Sequence, residues 1–487
     1  MRIEDVPFMS GGAPLVGHIA ELAEDRIAFM RRVAGEVDRV ARIRTIGHGV
    51  FVNHPEPLQE VLVEKARSFD KSRMTRWALY PLGGDGLFTS SGDLWRRQRK
   101  LMAPLFHPAQ LERYAADMVA CATRAVGSWR DGQVVELARE TTRITMGVAG
   151  KTLFDSDTFD EADELGAALT VALEWTADHA PSFSSIAHLV TARTLRDLGE
   201  LGRSRRLGEL AQRFEVPLVL PGKDGRALRE AVAYLDAHVQ RMIDARRAAA
   251  DHAPDLLSRL LAARDDEGGR MSDKQVRDEV LTLFVAGHET TATALAWSIH
   301  CLCNHPEIAE AVQREADALP GPPTFADLPR LPLALRVFKE ALRLYPPVYF
   351  FGRQAIEPVT VDGVSLPRDT VVLIAPHALH RRPELYPDPE RFDPDRFLPE
   401  QEAARPKLAW LPFGAGPRVC IGNHFAMMEG QLVLAELLRH ARFEAIGVDT
   451  PDPGATLRPA GGMKMRVRLR RTARSGAVGR EPAAHPS

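Results

Sequence analysis

Cysteine is scarce in this chain. Four cysteines in 487 residues, at positions 121, 301, 303 and 420, are too few and too unevenly spaced for a disulfide framework, and Cys301-Leu-Cys303 lacks zinc-site spacing. A secreted disulfide scaffold is excluded, and a reducing compartment, the cytoplasm, is expected. A run of about 20 apolar residues, the length that spans a bilayer, is also missing. The N-terminal MRIEDVPFMSGGAPLVGHIAELAEDRIAFM carries acids every few positions, so neither signal peptide nor membrane anchor is expected. Charge of one sign is not in excess: 63 Lys and Arg face 65 Asp and Glu, a net −2. That balance gives no basic footprint for nucleic acid and no acidic solvating character. Internal repeats and domain linkers are absent too. With 45% hydrophobic and 26% charged residues the composition is that of a folded globular protein with a large core.

What is present is mostly helical pattern. QLERYAADMVACATRAVGSW, LREAVAYLDAHVQRMIDARRAAA and MEGQLVLAELLRHA place apolar residues at three- and four-residue intervals. Strands are few. Residues 39–52, RVARIRTIGHGVFV, read as two short strands around a Gly-His-Gly turn, and residues 358–375 carry an Asp362-Gly363 hairpin signal. The expected fold class is therefore mainly α with small β-sheets (α+β), in one domain over residues 1–470. The last stretch, 471–487, is polar and aperiodic and reads as a disordered tail.

Three places need a chemical explanation. The first is a helix over residues 272–304, about 32 residues and about 48 Å at 1.5 Å each. Ser272 with Gln275 forms its capping box and His305-Pro306 its stop. Its centre sets Gly287, Glu289, Thr290 and Thr291 in an apolar neighbourhood. A structural reading is back-bonding of the Thr290 hydroxyl to the Ala286 carbonyl, with Gly287 allowing close packing. A functional one is a groove holding an acid and a hydroxyl where a small molecule such as dioxygen can bind. His288-Glu289 does not open a zinc-protease motif, since Ala292 stands where the second histidine belongs.

The second is Glu340 and Arg343, three residues apart on one helix face among Leu333, Leu335, Val337, Phe338, Leu342 and Leu344. Such surroundings imply burial, and buried charges require further partners; Arg396 is the candidate third member. The third is LPFGAGPRVCIGNHFAMME, residues 411–429. A lone cysteine is most often a small buried hydrophobe. Here Gly414, Gly416 and Gly422 let the backbone bend toward something flat. Cys420 precedes a helix beginning near Asn423, whose positive end favours a thiolate. Arg418 adds a cation fit for a carboxylated ligand. A dinucleotide loop fails, because Val419 occupies the third glycine position of GxGxxG.

Taken together these residues resemble the cytochrome P-450 family. Phe413, Gly414, Ala415, Gly416, Arg418, Cys420 and Gly422 lie in a complete FxxGxRxCxG haem-binding signature. The run from Ala286 to Thr291 looks like the family's oxygen-activation motif, and Glu340-x-x-Arg343 like its ExxR. Trp95 and Arg99 match its WxxxR, and residues 394–397, PDRF, the segment whose arginine completes the ExxR network. The resemblance runs from roughly residue 10 to 470.

The resemblance implies a cytochrome P-450 fold whose long central helix crosses over haem b (iron protoporphyrin IX), with Cys420 as the thiolate ligand of iron. Trp95, Arg99, Arg353 and Arg418 would meet the two propionates, Phe413 would pack beside the cysteine, and Ala286, Gly287 and Gly422 would lie against the macrocycle. Thr290 would bond the dioxygen co-substrate or its ordered water, and Glu289 would relay protons. The implied reaction inserts one atom of O2 into a hydrophobic small molecule: a terpene, a fatty acyl chain or a polyketide-like compound. The pocket expected to receive it draws on Phe284, Val285, Ala286, residues 348–351 and parts of 74–88. Electrons would come from NAD(P)H through a separate ferredoxin or flavodoxin and its reductase, the chain itself being a monomer. A peroxygenase, a haem-thiolate isomerase and a non-catalytic haem sensor share the cysteine motif and are the alternatives. The Glu289–Thr290 pair favours dioxygen chemistry over the first two, and the missing output module disfavours the sensor.

Overall fold

The structure is a computed structural model that describes residues 1–13, 17–45, 47–179, 183–219, 221–249, 255–264 and 270–470. The expected tail at 471–487 lies outside the described residues. Helices dominate. The longest, the central helix Asp273–Cys303, begins where its local chemistry dictates: Ser272 caps it with Oγ accepting from the Gln275 N–H, and the Gln275 side chain answers the Ser272 N–H. It ends at Asn304, just before His305-Pro306. The helix is buried through most of its length, against Leu137–Phe154 on one side and Pro332–Leu344 and Asn423–His440 on others.

Among the described residues twelve strands form the minor part: β1 (Val40–Thr45), β2 (Gly47–Val52), β3 (Phe69–Lys71), β4 (Val134–Glu136), β5 (Phe351–Ala355), β6 (Val359–Val361), β7 (Val364–Leu366), β8 (Val371–Ile374), β9 (Ala441–Ala445), β10 (Pro451–Pro453), β11 (Leu457–Pro459) and β12 (Lys464–Leu469). The largest sheet runs β1-β2-β8-β5-β3; smaller ones are β4-β12-β9 and the hairpins β6-β7 and β10-β11. In the β6-β7 hairpin Val361 pairs with Val364 across Asp362 and Gly363, both at positive φ, as the sequence leads one to expect. The β1-β2 turn differs from expectation. Gly47, His48 and Gly49 are strand residues paired with Thr45, Arg44 and Ile43, so the chain reverses before the glycines. What keeps them extended is the further parallel pairing of β2 to β8 from Gly49 onward, a partner more than 300 residues away.

The β3-β5 pair matters most for the site. It sets Lys71 directly opposite Arg353, and Asp70 opposite Gln354, at the edge of the large sheet.

Candidate active site

The Cys420 loop is built by short backbone bonds. Cys420 N–H donates to Phe413 O at 2.9 Å, Val419 N–H to Gly416 O at 3.0 Å and Gly414 N–H to Leu411 O at 3.3 Å, folding the segment back on itself before the helix Asn423–His440 begins. Gly416, at φ +68°, could not be any other residue: a Cβ there would overlap the Leu62 carbonyl. Gly414, at φ +66°, is required by conformation alone and has open space around it. Phe413 is half-buried, 5.9 Å from Trp410 in an edge-on contact.

Cys420 lies deep in the protein but is not packed. Its side chain has accessible surface of an exposed residue, although burial is what raises its pKa, against the Gly422 N–H and Arg99, which pull it down. Both hold at once when a thiol faces an interior space. Arg99 and Gly422 are thus the groups that favour the thiolate. Cys301, Cys303 and Cys121 contrast with this. Burial pushes Cys121 and Cys303 up to about 12 and Cys301 higher still, the behaviour of inert core thiols.

Cations gather beside this space. Arg353 and Lys71 face each other across β5 and β3, and Arg418 is close enough to push the pKa of both down. Burial is the larger cause for each, setting Arg353 at about 10. Arg418 stacks 4.1 Å over the Trp95 ring and pairs with Asp70. Lys71, which no local signal in the sequence marks, donates to the carbonyls of Leu87 (3.2 Å) and Phe88. Among the described residues, Asp70 is the one carboxylate ion-paired with any of Lys71, Arg99, Arg353 and Arg418. Like charges opposite one another on adjacent strands are unfavourable, so the cluster is short of anions.

The central helix supplies a second opening. Leu281–Phe284 and Thr291–Ile299 are buried, yet Ala286 between them is exposed and Val285, Gly287, Glu289 and Thr290 are half-exposed. These residues make an accessible, partly polar window in an otherwise buried stretch of helix. Thr290 Oγ1 donates to Ala286 O at 2.7 Å, the back-bond expected of a helical threonine. Its oxygen lone pairs are left as acceptors. Glu289 accepts from Thr456 Oγ1 at 2.8 Å on Oε1, while Oε2 is buried without a partner among the described residues. Burial raises its pKa, opposed by the Thr456 bond and Arg458. The neighbouring Thr291 hydroxyl approaches the Glu429 carboxyl without reaching ordinary hydrogen-bond geometry. Glu429 is six residues, about 9 Å, into the helix that follows Cys420, so the window and the cysteine loop belong to one region.

The Glu340–Arg343 pair is elsewhere in character. Both are fully buried, joined by bonds of 2.7 Å from Nε and Nη2. Arg343 also donates to the carbonyls of His380, Pro389 and Arg391, and Glu340 accepts from the Asp393 N–H at 3.0 Å, with Arg396 at 3.5 Å. The third member expected from PDRF is in place.

Residues 7–465 match the family model described as cytochrome P-450. The chain belongs to the cytochrome P-450 family. Cyclooctatin synthase of Streptomyces melanosporofaciens is 35% identical, with 92% of this chain and 91% of that one covered. Pentalenene oxygenase of Streptomyces avermitilis is 34% identical over 96% and 97%. Among solved structures, a crystal structure of a cytochrome P-450DA haem domain aligns with TM-score 0.79 and 27% identity, covering 96% of this chain and 98% of that one. This protein is a cytochrome P-450 monooxygenase, an enzyme class that uses haem b and O2. Among the described residues no helix is long and apolar enough to cross a membrane.

The residues fit a haem on three independent counts. A macrocycle with two propionates brings anions to Lys71 and Arg353, which have no ion pair among the described residues, and a further one to Arg418, whose partner is Asp70. Its iron would take a soft sulfur donor, and Cys420 is the one cysteine whose side chain is exposed. The exposed Ala286 and the half-exposed Gly287 offer the small side chains that a flat ring can approach.

Proposed function

We propose that this cytochrome P-450 inserts oxygen into a terpene-like hydrocarbon, with Cys420 as the thiolate ligand of haem iron. The observation that carries the site assignment is the exposed thiol of Cys420 beside a cation cluster that holds a single ion-paired carboxylate, Asp70. Arg353, Lys71, Arg418 and Arg99 would hold the propionates, with Trp95 beneath Arg418. Phe413 and the Gly422 N–H flank the sulfur and temper its donation. When bound, haem b supplies the centre at which dioxygen is reduced and cleaved, one atom entering the substrate and the other leaving as water.

The chain's own task on the other face is proton control. Two protons must reach one oxygen and not the other. Thr290, its own hydrogen committed to Ala286, accepts a hydrogen bond from a water or a protonated ligand and so fixes where a proton stands. Glu289, raised in pKa by burial and free at Oε2, is the acid that gives a proton and takes another from solvent. Ala286, Gly287 and Val285 line the approach with apolar surface, matching a substrate without charge, whereas Phe284, expected to join them, is buried and stacked on Phe154.

The substrate class is supported by the two Streptomyces relatives, a cyclooctatin synthase and a pentalenene oxygenase, which oxidise terpenes. Electrons come from NAD(P)H through a ferredoxin or flavodoxin and its reductase, acting on a monomer in the cytoplasm. The four free cysteines accord with that reducing compartment.

Cys420→Ala should abolish the thiolate-type absorption of the reduced carbonyl complex; a normal spectrum in that variant ends the assignment. Thr290→Ala should keep the spectrum and divert electrons to peroxide, and an unchanged ratio of product to electrons counts against its role. A spectral titration with cyclic sesquiterpenes, diterpenes and fatty acids should show displacement of a distal water by the terpenes at the lowest concentration. Preference for the acids would overturn the substrate class. Turnover with peroxide alone, unaided by electron donors, would favour a peroxygenase instead.

A further inference from the structure

Glu289 depends on a partner outside its own helix. Its hydrogen bond from the Thr456 hydroxyl, at 2.8 Å, crosses 167 residues of sequence. Thr456 is 7% exposed and immediately precedes β11 in the β10-β11 hairpin. That hairpin is tied down on several sides. Trp297 Nε1–H, two helical turns beyond Glu289, donates to Leu457 O at 2.9 Å; Leu457 N–H donates to Pro347 O at 3.0 Å; and the Tyr349 hydroxyl donates to the carbonyls of Pro453 (3.0 Å) and Gly454 (2.9 Å). The Thr456 hydroxyl is therefore a fixed donor, attached to the same helix that carries the carboxyl it serves.

The hairpin also leads outward. Arg458, two residues on and within β11, donates from Nη2 to Glu174 at 2.7 Å and from Nε to Asp452 at 3.0 Å. Side chains of both acids are substantially solvent-exposed, at 50% and 42%. Arg458 and Glu174 are also the charged groups that act on Glu289, the first lowering and the second raising its pKa.

We propose that Thr456 is the positioning residue of Glu289 and the link through which Glu289 is reprotonated from the Asp452–Arg458–Glu174 rim, an inference that rests on the proton-relay reading of Glu289 above. The Thr456 bond pins Oε1, which leaves Oε2 as the oxygen that gives its proton toward the dioxygen site. Recharging then runs in one concerted shift. A hydronium ion at the rim gives its proton to Thr456 Oγ1 while the hydroxyl proton of Thr456 moves to the ionised Glu289 Oε1. One O–H bond of Thr456 forms as the other breaks, water is left at the rim, and the carboxylate ends neutral with its proton on Oε1; a half-turn of the carboxyl then carries that proton to the side of the dioxygen site and returns the bare oxygen to Thr456. Such a link suits an enzyme that must admit protons singly. A continuous water channel to Glu289 would instead supply them freely and release peroxide.

The test uses the haem-loaded enzyme with surrogate redox partners and compares Thr456→Val, which keeps the shape and removes the hydroxyl, with Thr456→Ser, which keeps the hydroxyl. Thr456→Val should lower the product-to-electron ratio severalfold and raise the solvent deuterium isotope effect on coupled turnover, and Thr456→Ser should restore both. Independently of turnover, infrared spectroscopy of the resting protein should show the Glu289 carboxyl C=O band, assigned by its loss in Glu289→Gln, moving to higher frequency in Thr456→Val. Added to Glu289→Gln, Thr456→Val should cause no further loss of coupling. A carboxyl band unmoved by Thr456→Val, or an equal coupling loss with and without Glu289, overturns the role of Thr456. Full coupling in Glu289→Gln sinks the relay reading itself, which separates the two failures.

Discussion

Glu340 with Arg343, and Lys71 with Arg353 and Arg418, are both buried clusters of charge, but only the first is complete within the protein. Arg343 spends its guanidinium on two carboxylate oxygens and three backbone carbonyls, and Glu340 takes a backbone N–H and the nearby Arg396 as well. Every charge there is answered. The second cluster sets two cations face to face on adjacent strands, adds a third, and offers one carboxylate, Asp70. A protein does not keep buried like charges for its own stability. The first cluster serves the fold, then, and the second matches the proposed ligand with its two negative charges.

The largest effect should come from breaking the complete cluster. Arg343→Ala leaves Glu340 buried without its main partner, at a cost of about 3–5 kcal/mol, a large part of the whole stability of a domain. Loss of soluble folded protein, or a sharply lower denaturation midpoint with and without haem, is the expected result. An apoprotein of unchanged stability would erase the distinction drawn here.

The incomplete cluster should respond in the opposite sense. Lys71→Met and Arg353→Met remove cations that repel each other in the apoprotein, so its unfolding midpoint should stay level or rise. Haem, in contrast, loses a charge-assisted bond in each variant, worth about 1.5–3 kcal/mol. Transfer of haem to an acceptor protein should accelerate by roughly tenfold to a hundredfold per substitution. Destabilised apoproteins with unchanged haem transfer would reverse the assignment of Lys71 and Arg353.

A subtler effect concerns Glu279, the other carboxyl whose field acts on Lys71. It is fully buried, accepts from Leu87 N–H at 2.9 Å on Oε2, and burial pushes its pKa up to about 7 from an ordinary 4.5. Folding therefore favours its protonated form. The stability this contributes is present below about pH 4.5 and is lost as pH rises through about 7, with a slope on the order of 1 kcal/mol per pH unit between. Glu279→Gln should flatten apoprotein stability across that window, as followed by chemical denaturation. A wild-type curve already flat between those values would show that Lys71 holds Glu279 ionised and that the cluster is nearer to balance than drawn here.

How far these features could be read in advance depends on how local they are. The central helix was legible to its last residue because its cap, Ser272 with Gln275, and its stop, His305-Pro306, lie beside the ends they set. Glu340, Arg343 and Arg396 were legible as partners because helical spacing and an apolar setting together demand them. The Gly-His-Gly turn was misplaced because Gly47 and His48 pair with β1 and β8, far along the chain, takes up Gly49 as well. Lys71 and Thr456 were not legible at all. Neither stands in a pattern, and each acquires meaning from one pairing, Lys71 with Arg353 across β3-β5 and Thr456 with Glu289 through the β10-β11 hairpin.

By itself, then, the sequence determined the family and the helical class and marked the cysteine and the acid–hydroxyl pair as candidates, since each is written within a dozen neighbouring residues whose spacing is their chemistry. Only the tertiary structure decided which buried charges are answered and which await a ligand, because charge balance inside a protein is a property of neighbours in space, and those neighbours stand up to about 350 residues apart: Arg418 and Asp70 differ by 348.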